Sequence, residues 1–161
     1  MMLYYLSFLM PLSLLFFKHL IIDFFLQTPY MAANKGRYGH WGGISHALLH
    51  SLGSIIALVV AYYLMNMPIQ FFLQWCVTAT IILSLVDGVI HYHMDWFKTW
   101  WGKKKNYKSH PDLGCTMKQC RNYWWWMGID QTVHSLTYVG MFAFVVSWIE
   151  VGRMMLSIPP Q

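Results

Sequence analysis

The histidines and aspartates of this chain recur at helical spacing inside apolar runs. His19, Asp23 and Gln27 follow at four-residue steps, as do His46 and His50; Asp87, His91 and Asp95 form a third set with Lys98 three residues on, and Asp130 with His134 a fourth beside Gln131. Residues four apart share one face of an α-helix, so each set is an ionisable stripe on an otherwise apolar helix. Imidazole nitrogen and carboxylate oxygen are ligands that Zn²⁺, Fe²⁺ and Mn²⁺ share, and such pairs on facing helices build metal sites in bundle cores. Any one set has a plainer use: His46 with His50 can hydrogen-bond two helices, and Asp23 or Asp130 can neutralise Lys18 or Lys98. Four sets together ask for a common explanation.

The elements that must carry these stripes follow from composition. The 161 residues are 57% hydrophobic, 18% aromatic and only 11% charged, with a mean hydropathy of +0.40. A soluble domain has about a quarter of its residues charged, so a water-exposed globule and a disordered chain are both excluded. Crossing a bilayer takes roughly 20 mostly apolar residues. Four segments qualify, at about 3–27, 42–63, 70–97 and 123–151. The first ends at Thr28-Pro29; the second holds Gly42, Gly43, Ser45, Ser51, Gly53 and Ser54, which permit close helix approach; the fourth opens on Trp124, Trp125 and Trp126, which suit a membrane interface. The expected fold is all-α: a polytopic membrane protein, a four-transmembrane-helix bundle in a single domain over 1–161. With no basic residue before Lys18 and no small-residue cleavage pattern after it, the first run is expected to stay as a membrane helix.

The net charge of +5 does not point to nucleic acid, because the basic residues gather between apolar runs. Lys35 and Arg37 lie in the first connection, and Lys103, Lys104, Lys105, Lys108, Lys118 and Arg121 in the third, whereas the second has neither Lys nor Arg. The positive-inside rule therefore places the first and third connections in the cytoplasm and both termini outside it, with Arg153 a mild counter-argument. The basic stretch at about 98–122 is expected to meet anionic lipid head groups. Membrane lipid is thus the expected partner, and homo-oligomerisation is left open. Cys76, Cys115 and Cys120 are read as reduced thiols.

On this orientation the four stripes meet at one depth. With 1.5 Å of rise per residue, His19, His50 and His91 lie about 10 to 12 Å from the cytoplasmic ends of their helices, and His134 about a turn deeper. An ionisable group in hydrocarbon costs about 2.5 to 3.5 kcal/mol, so these residues should face the bundle interior. The expected metal ligands are His19, Asp23, His46, His50, His91, Asp95, Asp130 and His134, holding a divalent metal, zinc first with manganese or iron as alternatives. Asp95, Lys98, Asp130 and Gln131 are the candidate catalytic residues, with Gln27, Lys35 and Asp87 supporting them. His40, His93 and His110 lie off the shared faces or in loops and are expected to be non-ligands.

The ordered segments His19-Leu-Ile-Ile-Asp23-Phe-Phe-Leu-Gln27, Asn34-Lys35, His46-Ala-Leu-Leu-His50, His91-Tyr-His-Met-Asp95-Trp-Phe-Lys98 and Asp130-Gln131-Thr-Val-His134 also carry a resemblance. From about residue 17 to 140 the chain resembles a domain-of-unknown-function family of small polytopic membrane proteins of bacteria and their phages. The resemblance implies that the matched residues form a shared polar centre, in the inner membrane of a bacterium or phage-infected host; it implies no activity, and the basic stretch from Lys103 to Arg121 departs from a minimal member. A looser similarity, in style rather than in alignable motifs, is to predicted inner-membrane metal-dependent hydrolases. The expected function is accordingly a membrane-embedded hydrolase acting on a lipid or phosphoester. The alternatives are an ion or small-solute transporter using the same relay, and a non-catalytic membrane interaction protein. A di-iron oxygenase would need His-x-x-His-His clusters, and the sequence has none.

Overall fold

The computed structural model describes residues 9–104 and 121–156. Helix α1 (Met10–Ile21) has Pro11 in its first turn, where the missing N–H is no loss, and passes into a π-helical segment, π1 (Ile22–Leu26). The chain then extends at Gln27, and Thr28 caps the short α2 (Pro29–Asn34) by accepting a hydrogen bond from the Met31 N–H at 3.2 Å. Helix α3 (Trp41–Leu64) is capped by His40, whose Nδ1 accepts from the Gly42 N–H at 3.0 Å, a structural task in keeping with its reading as a non-ligand. Next come α4 (Ile69–Phe71), π2 (Phe72–Cys76) and α5 (Val77–Lys104), end to end as one long helix. Helix α6 (Arg121–Met155) completes the fold, which has no strand among the described residues.

Helix α3 packs on α1 and α5, and α6 packs on the same two, so the four long elements close a ring. Three helices, Trp41–Leu64, Ile69–Trp101 and Trp124–Met155, are long and apolar enough to cross a membrane. Of the first expected span, α1 and π1 hold 12 and 5 residues, and 3–8 lie outside the described residues. Helix α5 runs on past Phe97, where hydropathy alone ends the third span, so Lys98 sits on a helix and not in a connection. His110, Cys115 and Cys120 lie outside the described residues, whereas Cys76 is a buried free thiol.

The distribution of polarity is inverted relative to a water-soluble protein. Phe24, Phe25 and Tyr63 are 71%, 73% and 79% exposed, while Asp87, His91, Asp130 and His134 are at most 2% exposed. Apolar residues outside and ionisable ones inside is the arrangement a bilayer requires. Small residues bring the helices close. Any side chain at Gly88 of α5 would meet Ser51 Oγ and, at 3.1 Å, the Ala47 carbonyl of α3; one at Gly53 would meet Ile22 of π1 at 2.6 Å.

Beyond the polar level the core is apolar, formed by Leu58, Phe71, Cys76, Met141, Val145 and Ile149. There Trp75 and Trp148 stack at 5.1 Å, and each indole N–H donates to the other's backbone carbonyl at 2.8 Å, tying π2 to α6. Gly152 leaves room for the Trp75 ring.

Candidate metal centre

The stripes of α1, α3, α5 and α6 meet inside the ring. His50, His91 and His134, from three different helices, form a column: His50 and His91 stack at 3.4 Å between centroids, and His91 and His134 at 4.0 Å. Counting along the helix puts His134 a turn deeper than His91; the structure stacks the two rings directly. His46 flanks the column at 4.8 Å from His50, and His19 closes it from α1 at 5.3 Å from His134.

Three carboxylates reach this column. Asp23 Oδ1 lies 3.0 Å from His50 Nε2, 3.3 Å from His46 Nε2 and 3.7 Å from His91 Nε2. Asp95 Oδ2 lies 3.4 Å from His46 Nε2 and 3.5 Å from His91 Nε2, and Asp130 Oδ1 lies 3.5 Å from His134 Nε2. Two groups have donor atoms that all fall within 4.8 Å of one another: Asp23, His46, His50 and His91, and then His91, Asp95 and His134. Tetrahedral ligands on bonds of about 2.1 Å sit roughly 3.4 Å apart, which is the scale of these separations.

Hydrogen-bond occupancy is the sharper test of whether a metal fits. Buried polar atoms in folded proteins are nearly always paired. Here both ring nitrogens of His46, His91 and His134, with Asp95 Oδ2 and Asp130 Oδ1, are buried and have no hydrogen-bond partner. The neighbouring carboxylate oxygens are near enough for an ion pair and wrongly directed for a hydrogen bond. Lone pairs that converge without pairing are what a cation would satisfy, and the mixed nitrogen and oxygen set suits zinc, iron or manganese.

The lysines stand on one edge of the centre. Lys35, beyond the end of α2, lies 2.9 Å from Asp95 Oδ2; Lys98 lies 2.7 Å from Asp130 Oδ2 and 3.3 Å from Asp95 Oδ1. Their side chains, 15% and 19% exposed, and that of Asp23 at 13%, are more exposed than the histidines of the centre, the most exposed of which is His19 at 10%. Gln131 bridges two members, with Nε2 donating to Asp130 Oδ2 at 3.3 Å and Oε1 facing His19 Nε2 at 3.2 Å. Gln27 follows π1 and supports Asp23 through the backbone, its Nε2 donating to the Asp23 carbonyl at 3.0 Å, while its Oε1 is buried without a hydrogen-bond partner. His93 is a bystander, held by the Val89 carbonyl at 2.8 Å on an exposed face.

Asp87 lies one turn farther in and pairs with Lys18, while Ser54 Oγ donates to the same carboxylate oxygen at 2.7 Å. Lys18 also reaches His50, with Nζ 3.2 Å from Nδ1 and donating to the backbone carbonyl at 3.3 Å. Tyr138 OH lies 2.9 Å from His19 Nδ1. Lys18, Ser54 and Tyr138 were not anticipated as part of the site, yet Ser54 extends the His46–His50 ladder by four residues and Tyr138 extends Asp130–His134 by four. A small or hydroxylated residue at the next rung was the available signal.

No curated protein and no solved structure matches the chain. The model of one family, described as "Protein of unknown function (DUF3307)", matches residues 11–156. These are the residues that carry every stripe, and the chain belongs to that family.

Proposed function

We propose that the chain is a membrane-embedded, divalent-metal-dependent hydrolase whose site lies near the cytoplasmic leaflet and acts on a phosphoester, most simply that of a lipid. The observation that carries this reading is the convergence in a buried centre of His46, His91 and His134 nitrogens with Asp95 and Asp130 oxygens, all without a hydrogen-bond partner and held at ion-pair distance. Zinc is the first candidate for the ion. Once bound, it would supply Lewis acidity and lower the pKa of a coordinated water towards neutrality.

The charge balance supports an anionic substrate. Asp23, Asp87, Asp95 and Asp130 face Lys18, Lys35 and Lys98, a net charge of −1 that a divalent ion turns to +1. Lys35 and Lys98 stand at the more exposed edge, where their ammonium groups would meet a phosphoryl oxygen and stabilise charge developing on it. Asp95 or Asp130, whichever is not consumed as a ligand, is placed to accept a proton from water, and Gln131 orients Asp130 through its amide. A lipid would present its head group to this rim while its tails remained in hydrocarbon.

The orientation follows the lysines. Lys35 and Lys98 stand at the polar centre, Arg37 follows Lys35 in the first connection, Lys103 and Lys104 end α5 before the third, and the connection from Met65 to Pro68 carries no Lys or Arg. The positive-inside rule then sets this side in the cytoplasm of a bacterial inner membrane and both termini outside it. A transport pathway is the weaker reading, because among the described residues Leu58, Phe71, Val145 and Ile149 dominate the far half of the core, and its buried polar groups, on Tyr62, Thr80 and Ser84, are neutral.

The test is elemental analysis of detergent-purified protein together with a phosphoester hydrolysis assay in mixed micelles. Close to stoichiometric metal, and chelator-sensitive turnover absent from His91→Ala, is the expected result. A metal-free protein, or a His91→Ala variant as active as wild type, would sink the reading.

A further inference from the structure

Five histidines line the centre, and hydrogen-bond geometry divides them into two kinds. Asp87 Oδ2 accepts from both Lys18 Nζ and Ser54 Oγ, which marks it as a carboxylate and Lys18 as an ammonium. The ammonium also sits 4.8 Å above the Tyr138 ring. An ammonium has three protons and no lone pair. Its three partners are Asp87 Oδ2, the His50 carbonyl and His50 Nδ1, so the last must accept. A neutral imidazole that accepts at Nδ1 carries its proton on Nε2, and that N–H points at Asp23 Oδ1, 3.0 Å away. The Nε2 of His50 therefore has no lone pair for a metal.

The same logic reaches His19 from the other side. Asp130 Oδ2 fixes the Gln131 amide with its nitrogen inward, which turns Oε1 towards His19 Nε2. An amide oxygen only accepts, so His19 Nε2 must be the donor, and Nδ1 accepts from Tyr138 OH. This second N–H also lies 3.3 Å from Asp23 Oδ2. His46, His91 and His134 form the other kind, with no hydrogen bond at any ring nitrogen.

We infer that His19 and His50 are positioning residues that clamp the two oxygens of Asp23, their tautomers fixed by Tyr138 with Gln131 and by the Lys18–Asp87 pair, and that of the five histidines only His46, His91 and His134 ligate metal, His46 and His91 beside Asp23 in one group and His91 and His134 beside Asp95 in the other. This rests on the metal reading above and narrows its ligand set. Asp23 is thereby presented to the ion by two N–H donors, the supporting arrangement that commonly orients a ligating carboxylate.

The test uses the 161-residue chain, labelled with ¹⁵N-histidine in lipid nanodiscs, with ring nitrogens recorded before and after titration with Zn²⁺ to saturation. His19 and His50 should show a protonated Nε2 and a bare Nδ1 in both states, while His46, His91 and His134 shift on zinc addition. In parallel, His50→Asn, which keeps an N–H for Asp23, should retain zinc with affinity lowered about 10 to 100-fold, whereas His50→Ala and His46→Ala fall further. A zinc-induced coordination shift at His50 or His19 Nε2 overturns the inference and leaves the metal reading standing. Wild-type protein that takes up no zinc overturns both.

Discussion

At the end of the bundle that holds Lys35 and Lys98, the four helices meet through ions; beyond Asp87 and Ser54 they meet through Leu58, Phe71, Val145, Ile149 and the Trp75–Trp148 clamp. Both ends lie in the same ring of helices. They differ in what they leave undone. In the apolar half the two indole N–H groups are paired, and the buried groups without a hydrogen-bond partner include two neutral hydroxyls, those of Tyr62 and Ser84. In the polar half they are ionisable: the ring nitrogens of His46, His91 and His134 with oxygens of Asp95 and Asp130. Stability alone would select against that half, because a buried polar group without a partner costs about 1 to 3 kcal/mol. Its retention points to a task, and the apolar half is the scaffold that carries its cost.

The contrast can be broken by variants in either half. The largest effect is expected for Asp95→Ala, which removes the oxygen facing both His46 and His91: bound metal by elemental analysis should fall to background while the fold by circular dichroism persists. Next is Lys18→Met, which strands Asp87 as a buried unpaired carboxylate at a cost of about 3 to 5 kcal/mol. Thermal unfolding in detergent should show a large drop, and the double variant Lys18→Met with Asp87→Leu should recover most of it. In the apolar half, Trp75→Phe removes one indole N–H donor and should cost only about 1 kcal/mol of stability, with metal content unchanged. The smallest effect is expected for His93→Ala on the outer face of α5, within about 0.5 kcal/mol of wild type and with full metal loading. A loss of metal in Trp75→Phe or His93→Ala would dissolve the distinction between the halves.

The sequence carried the helical class and the cluster members well, because a four-residue repeat of His and Asp in an apolar run has few readings. His46, His50, His91, Asp95, Asp130 and His134 all come together inside the ring. What one dimension did not reveal was partnership across helices. Lys18 reads as a counter-ion for Asp23, one turn away on its own helix, yet its carboxylate is Asp87 of α5. Gln27 reads as a rung of the first ladder, and the π-helical turn before it, which leaves no mark in residue spacing, ends with its side chain on the Asp23 backbone carbonyl. Hydropathy ends the third span at Phe97, because the charges beyond it look like a loop; the helix runs on to Lys104, and the first of those charges, Lys98, turns to Asp95 and Asp130.

Gly88 gives the centre its gauge. It lies three residues before His91, at the point where α5 touches α3 beside Ser51 and Ala47, and the His50 and His91 rings one step away are separated by 3.4 Å. That spacing is van der Waals contact between flat rings, with no slack to absorb a wider helix pair. A single methyl group at position 88 would act as a shim: it would press on Ser51 Oγ and, at 3.1 Å, on the Ala47 carbonyl, so that α5 would lift from α3 by about tenths of an ångström and the ring column would open. The spacing of the rings is thus set partly by a residue that has no side chain.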